Sequence, residues 1–143
     1  MQKSFFKNFS VLIILIFFSG LNSCEEDYQG LVVDCSECYT TRPSEGELKI
    51  KLTINEKYPS VPIVIYRGDI EEKMIKMDTA TTENYYINGW INKYYSVTAE
   101  YKSADKTIIA VDSDKLRRRK VTEVCDSTCW VIRGGIIDVR LKY

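Results

Sequence analysis

From Glu47 onward, apolar and polar residues take turns: Leu48, Ile50, Leu52 and Ile54 alternate with Lys49, Lys51, Thr53 and Asn55. A period of two sends one row of side chains inward and the other to solvent, the geometry of a half-buried strand. Wound as a helix, the same pattern would spread its apolar residues around every side. No stretch of the chain carries a convincing amphipathic-helix pattern, so the alternation restricts the fold to sheets.

The remaining segments extend this reading. Pro59 and Pro62 bracket a turn before a second short strand at 63–66, which ends at Arg67, Gly68 and Asp69. Pro62 has no ladder donor and belongs at a strand entrance or an edge. Residues 73–81 predict a third strand with Ile75, Met77 and Thr79 on one side and Lys76 and Asp78 on the other. Asn88 and Gly89, both tolerant of positive φ, mark a turn. Tyr95, Val97, Ala99 and Tyr101 then alternate with Ser96, Thr98, Glu100 and Lys102, and 107–111 is a further β-branched run. Leu116, Arg117, Arg118, Arg119 and Lys120 suit a charged edge strand that resists sheet-to-sheet pairing, and less readily a contact with anionic glycolipid. Trp130, Val131, Ile132 and Arg133 predict a hairpin with Ile137, Val139, Leu141 and Tyr143 around Gly134-Gly135. The total of about seven to eight short strands predicts an all-β fold, a single antiparallel β-sandwich.

The first part of the chain is of another kind. Lys3 and Lys7 precede eight consecutive apolar residues at 11–18 (VLIILIFF). That run is too short for a hydrocarbon core of ~30 Å, which takes ~20 helical residues, and reads as the apolar region of a cleaved signal peptide. Behind it, Leu21-Asn22-Ser23-Cys24 resembles the lipobox of bacterial lipoproteins. The resemblance implies a diacylglycerol on the Cys24 sulfur and a further acyl chain, such as palmitate, on its amino group. Two or more chains make membrane attachment stable, each buried CH₂ contributing ~0.8 kcal/mol. The acidic run Glu25-Glu26-Asp27 is similar to the signals by which some Gram-negative bacteria move lipoproteins to the outer face of the outer membrane; the bland alternative is a solvated tether. The chain is expected to divide into a signal peptide (1–23), a lipidated tether with the first cysteine pair (24–46) and a β-sandwich (47–143).

Loss of the signal leaves 120 residues, enough for one domain with a single core. Of 20 basic and 20 acidic residues, Lys3 and Lys7 go with the signal, leaving 18 against 20 and a net charge of −2. Near-neutrality argues against nucleic-acid binding, which needs a basic footprint. The chain has no histidine, which excludes Ser-His-Asp and Cys-His catalysis and imidazole metal sites. The neighbouring carboxylates Asp69 and Glu71, and Asp112 and Asp114, fit turn chemistry without catalysis. No enzyme activity, cofactor or metal is expected.

Cys35 and Cys38 form one close pair, Cys125 and Cys129 another. Four thiolates from two short loops suit a tetrahedral zinc site, and Cys-x-x-Cys invites a redox reading. Export to an oxidising compartment favours two disulfides. Of the three connectivities, loop-closure entropy favours the long links, because a bridge spanning roughly 90 residues contributes about 4.6 kcal/mol against about 2 within one pair. The 35/38 loop is therefore expected to be stapled to the 125/129 loop.

Across 48–102 the chain resembles transthyretin-like, collagen-adhesin-B-type and immunoglobulin-like sandwiches of bacterial surface proteins. The residues that carry the likeness are Val61-Pro62-Ile63-Val64-Ile65-Tyr66, Asp78-Thr79-Ala80-Thr81-Thr82, Tyr85-Tyr86-Ile87 and Tyr94-Tyr95-Ser96-Val97-Thr98-Ala99-Glu100-Tyr101. As a whole it is similar to small lipoproteins of gut-type Gram-negative bacteria, which offer no catalytic motif to transfer. The densest aromatic stretch, 85–102, supplies core packing and also a candidate contact surface at Tyr86, Trp90 and Tyr94, where rings stack on sugar or protein. The expected function is a non-enzymatic, lipid-anchored outer-membrane binding or accessory module, exposed at the cell surface, for a protein or glycan partner. The alternative location is the periplasmic face, and the alternative function a structural subunit of an envelope assembly.

Overall fold

The computed structural model of the chain describes residues 33–122, 125 and 127–142. The signal segment, Cys24 and the acidic run Glu25-Glu26-Asp27 lie outside the described residues. Among the described residues there are nine strands: β1 (Glu45–Lys51), β2 (Val61–Arg67), β3 (Met74–Ala80), β4 (Asn84–Trp90), β5 (Tyr94–Ser103), β6 (Lys106–Lys115), β7 (Arg117–Val121), β8 (Cys129–Arg133) and β9 (Ile136–Asp138). They form a three-stranded sheet β4-β1-β9, a four-stranded sheet β3-β2-β5-β6 and a ribbon β7-β8. The fold is all-β and sandwich-like.

Alternation fills the space between the two larger sheets. Leu48 and Ile50 of β1 and Ile137 of β9 face Val61, Ile63 and Ile65 of β2 and Tyr95, Val97, Ala99 and Tyr101 of β5, all fully buried. The two β5 tyrosines bring their hydroxyls with them, and each needs a partner there. The Tyr101 hydroxyl accepts the Thr53 N–H at 3.0 Å and donates to the Val139 carbonyl at 2.9 Å. The Tyr95 hydroxyl accepts the Trp90 N–H at 2.6 Å. All three bonds join the four-stranded sheet to backbone on the other side of the core.

Four expectations are corrected. Asn88 and Gly89 do not turn: they lie inside β4, opposite Glu47 and Gly46. Gly89 is required for space, since a Cβ there would sit 2.8 Å from the Tyr95 ring. The reversal falls instead at Ile91 and Asn92, where Asn92 takes φ 64°. Gly134 and Gly135 both have positive φ but join no hairpin, because β8 pairs with β7 while β9 pairs with β1. At this crossing a Cβ on Gly134 would lie 2.3 Å from the Lys115 carbonyl, and one on Gly135 would lie 2.6 Å from Leu116. The β1–β9 pairing is parallel, in a fold otherwise antiparallel as expected. Finally, the expected row of Ile75, Met77 and Thr79 on β3 is broken: a register shift opposite Ile65 and Tyr66 leaves Ile75 packed against the core and sets Lys76 opposite Ile65 and Asp78 opposite Ile63, on the inner side. Met77 pairs with outward-facing Val64 and is 67% exposed. Pro62 sits at the strand entrance, before the pairing with β5 begins at Ile63.

Residues 33–46 belong to the same compact unit as the sheets. A short 3₁₀ turn, Cys35–Glu37, is capped by the Asp34 carboxylate, which accepts the Ser36 N–H at 2.9 Å. Tyr39 exchanges backbone hydrogen bonds with Trp130 of β8. Cys35 is bonded to Cys125 and Cys38 to Cys129, with Cα separations of 5.8 and 5.6 Å, so the two loops are stapled together. Cys129, Val121 and Val131 form a second small core with Val33 packed against it. Arg42 and Arg118 each hold a guanidinium over the Trp130 ring, at 5.5 and 5.9 Å.

The staples are not equivalent additions. Whichever bridge forms first closes a loop of about 90 residues and contributes about 4.6 kcal/mol; the second then closes a ring of roughly 9 residues and adds about 2.5 kcal/mol. Replacing either pair by serine is therefore expected to cost about 2.5 kcal/mol, and replacing both about 7 kcal/mol, more than twice the single loss. Urea unfolding of the three variants checks this; strictly additive losses would refute it.

Candidate binding surface

Along β4, Tyr85, Ile87 and Gly89 point inward, so Tyr86, Asn88 and Trp90 form a row on the outer face of the three-stranded sheet. Strand rise puts the first and last of these about 13 Å apart. Tyr86 is 50% and Trp90 47% exposed. Their cross-strand partners on β1 are Lys49, Glu47 and Glu45. The Lys49 ammonium lies 5.9 Å from the Tyr86 ring centre, and Ile136 of β9, opposite Lys49, is also exposed. Two rings, an amide, two carboxylates and an ammonium thus share one open face.

Tyr94 is not part of it. Inward-facing Tyr95 follows it on β5, so Tyr94 lies on the outer face of the four-stranded sheet, opposite Lys115, whose ammonium is 5.6 Å from the ring centre. The structure therefore brings Tyr86 and Trp90 together and sets Tyr94 on the opposite side. Sequence proximity misleads here because the Ile91–Asn92 reversal carries the chain from one sheet to the other.

Glu47 links the aromatic row to a groove of about 520 Å³ whose walls also carry Asp34, Glu37, Tyr39 and Arg133. The Arg133 Nε is buried without a hydrogen-bond partner in the structure, and donors in that state are rare. Asp34 is held below the usual carboxylate range by the hydrogen bond from the Ser36 hydroxyl. Neither the groove nor Arg133 is signalled by sequence spacing, because the disulfides and the Tyr39–Trp130 bridge assemble them from distant segments.

The four cysteines of the sequence reading all lie in the staple beside this groove, and Cys38 lines it. The Cys38, Cys125 and Cys129 sulfurs lie within 4.8 Å of one another, but as disulfides they have no thiolate to offer a metal. Asp112 and Asp114 lie within β6 rather than in a turn; they accept the backbone N–H groups of Asp138 and Ile136, at 2.7 and 3.1 Å, and close the seam between β6 and β9.

At the opposite seam, Tyr85 of β4 meets the inward charges of β3. Its hydroxyl donates to Asp78 at 2.5 Å and accepts from the Lys76 ammonium, which itself lies 2.9 Å from Asp78. The Tyr85 hydroxyl, helped by Lys76 and the Thr79 N–H, holds Asp78 down to about 2, and the same contacts raise Lys76. Asp138 is likewise held to about 2, by the Arg140 guanidinium. A carboxylate lowered from 3.8 to about 2 favours the fold fully above pH 3.8, and that contribution disappears as pH falls toward 2. The stability gap between the parent and the double variant D78N/D138N is expected to narrow across that window. Urea midpoints measured between pH 6 and pH 2, on the order of one pH unit apart, decide it, and a gap unchanged by pH would contradict the assignment. No protein-family model, curated protein or solved structure matches the chain, so its function is argued from this geometry.

Proposed function

We propose that the chain is a lipid-anchored envelope protein whose sandwich acts as a non-enzymatic binding module, with a glycan as its partner. The observation that carries the reading is the Tyr86-Asn88-Trp90 row, open to solvent and continuous through Glu47 with a groove lined by Asp34, Glu37 and Arg133. Rings present flat apolar faces, while the amide, carboxylates and guanidinium offer donors and acceptors for hydroxyl groups. The lack of histidine leaves this surface without the commonest acid-base residue. The lipobox resemblance at Cys24 supplies the anchor and the two staples suit an exported domain.

A second reading, a structural subunit of an envelope assembly, is favoured by the other outer face. There Met74, Met77, Val111 and Ile109 are exposed on one sheet, and exposed apolar patches mark interaction surfaces.

Two measurements test the proposal. Mass spectrometry of the mature N-terminus is expected to show a triacylated Cys24; an unmodified residue there would remove the anchor. On a glycan array, the single variants W90A and Y86A are each expected to lose about tenfold in affinity, the range of one aromatic contact of about 1.5 kcal/mol, with the melting temperature unchanged. Identical profiles for parent and variants would remove the aromatic row from the function, and capture of a fixed membrane protein instead of glycan would favour the assembly reading.

A further inference from the structure

The two larger sheets end in four edges, and they are not equally protected. The β3 edge is bulged and carries inward-pointing Lys76 and Asp78, two of the devices by which proteins keep an edge from pairing. The β4 edge has its last N–H taken by the Tyr95 hydroxyl, and β9 is only three residues long. By contrast β6 is ten residues long, lies at the end of its sheet, and has no charge from Thr107 to Val111. Its outward residues Ile109 and Val111 are 65% and 51% exposed. Beside its first half runs a groove of about 430 Å³, whose far wall carries Asp138, Arg140, Leu141 and Lys142.

We infer that β6 is a homodimer edge, on which a second copy of this chain adds its own β6 antiparallel to make one continuous eight-stranded sheet. The charges of the strand select this occupant. With the twofold axis on Ala110, Lys106 stands opposite Asp114 of the second copy, Thr107 opposite Ser113, Ile108 opposite Asp112 and Ile109 opposite Val111, each pair occurring twice. Opposite charges, a hydroxyl pair and a β-branched pair are the cross-strand combinations that stabilise a ladder. Lys106 and Asp114 lie on the same, inner face of the strand, as do the Tyr101 and Tyr95 partners of Ile108 and Asp114, so the pairing joins like face to like face. In this register, Asp112 and Asp114 of the second copy run along the half of β6 flanked by Arg140 and Lys142, where Arg140 is already paired with Asp138 and Lys142 adds a cation. The outer faces then merge, and the cross-strand row Met77, Val64, Thr98 and Val111 continues into Ile109 of the second copy. A nine-residue ladder is a small interface, which places its affinity in the weak, reversible class. This pairing uses the sheet opposite the Tyr86–Trp90 face and stands independently of the ligand reading.

Sedimentation of the full chain in detergent, across on the order of 1 to 100 µM, provides the test. The parent is expected to pass from monomer to dimer over this range. Val111→Lys places a charge on the exposed middle of the edge, and Lys106→Glu sets like charges opposite each other; each is expected to weaken the dimer at least about tenfold without lowering the melting temperature. A parent that stays monomeric throughout, or a dimer indifferent to both V111K and K106E, overturns the inference. Saturable binding of an acidic peptide along β6 by a monomeric parent would overturn it too, in favour of a different occupant.

Discussion

Two hydroxyl groups cross an otherwise apolar core, and the sandwich is arranged around them. Tyr95 and Tyr101 leave the same strand and reach backbone groups on the far side: the Trp90 N–H in one case, the Thr53 N–H and Val139 carbonyl in the other. A ring of that size fits only where the facing sheet gives way, and Gly89 makes the gap for Tyr95. The hydroxyls also fix registry, since a buried donor or acceptor left without a partner costs about 1–3 kcal/mol. Sliding one sheet over the other by a single residue would strand several such groups at once.

The margins of the sandwich follow a different rule. Where the apolar core ends, each seam is closed by charge meeting backbone or hydroxyl: Lys76, Asp78 and Tyr85 on one side, Asp112 and Asp114 against β9 on the other. These groups are half open to water, so they define where the sheets stop and contribute modestly to how firmly they hold. The firm restraint at the remaining end is covalent, through the two disulfides that gather 33–46 onto β8.

Much of this was legible in the residues, and the misreadings have physical causes. The rows of β1 and β5 announce themselves by strict alternation, and both are fully buried on the expected side. Asn88-Gly89 imitates a turn because a glycine chosen for its missing side chain looks the same as one chosen for positive φ. The β3 row of Ile75, Met77 and Thr79 looks unbroken in sequence, but one residue of bulge at Ile75 splits it, and a bulge leaves no mark in the alternation. The parallel β1–β9 pair is invisible to local pattern, being a contact between residues almost ninety positions apart that is set by the Gly134-Gly135 crossing. For the candidate surface, Tyr86 and Trp90 were findable by alternation within one strand; the staple beside the groove was legible too, whereas the Tyr39–Trp130 bridge that helps shape the groove is encoded by no local spacing.

That crossing also governs how the core closes. β1 acquires its second neighbour only from the three residues of β9, almost ninety positions further along the chain. The Tyr101 hydroxyl bond to Val139 is made by the same returning segment. Pairs such as β2 with β3 and β5 with β6 join neighbours in sequence, whereas the central layer is sealed only when 136–139 come back to β1. Closure of the core is thus its least local step, and removal of 136–139 would leave β1 as an open edge.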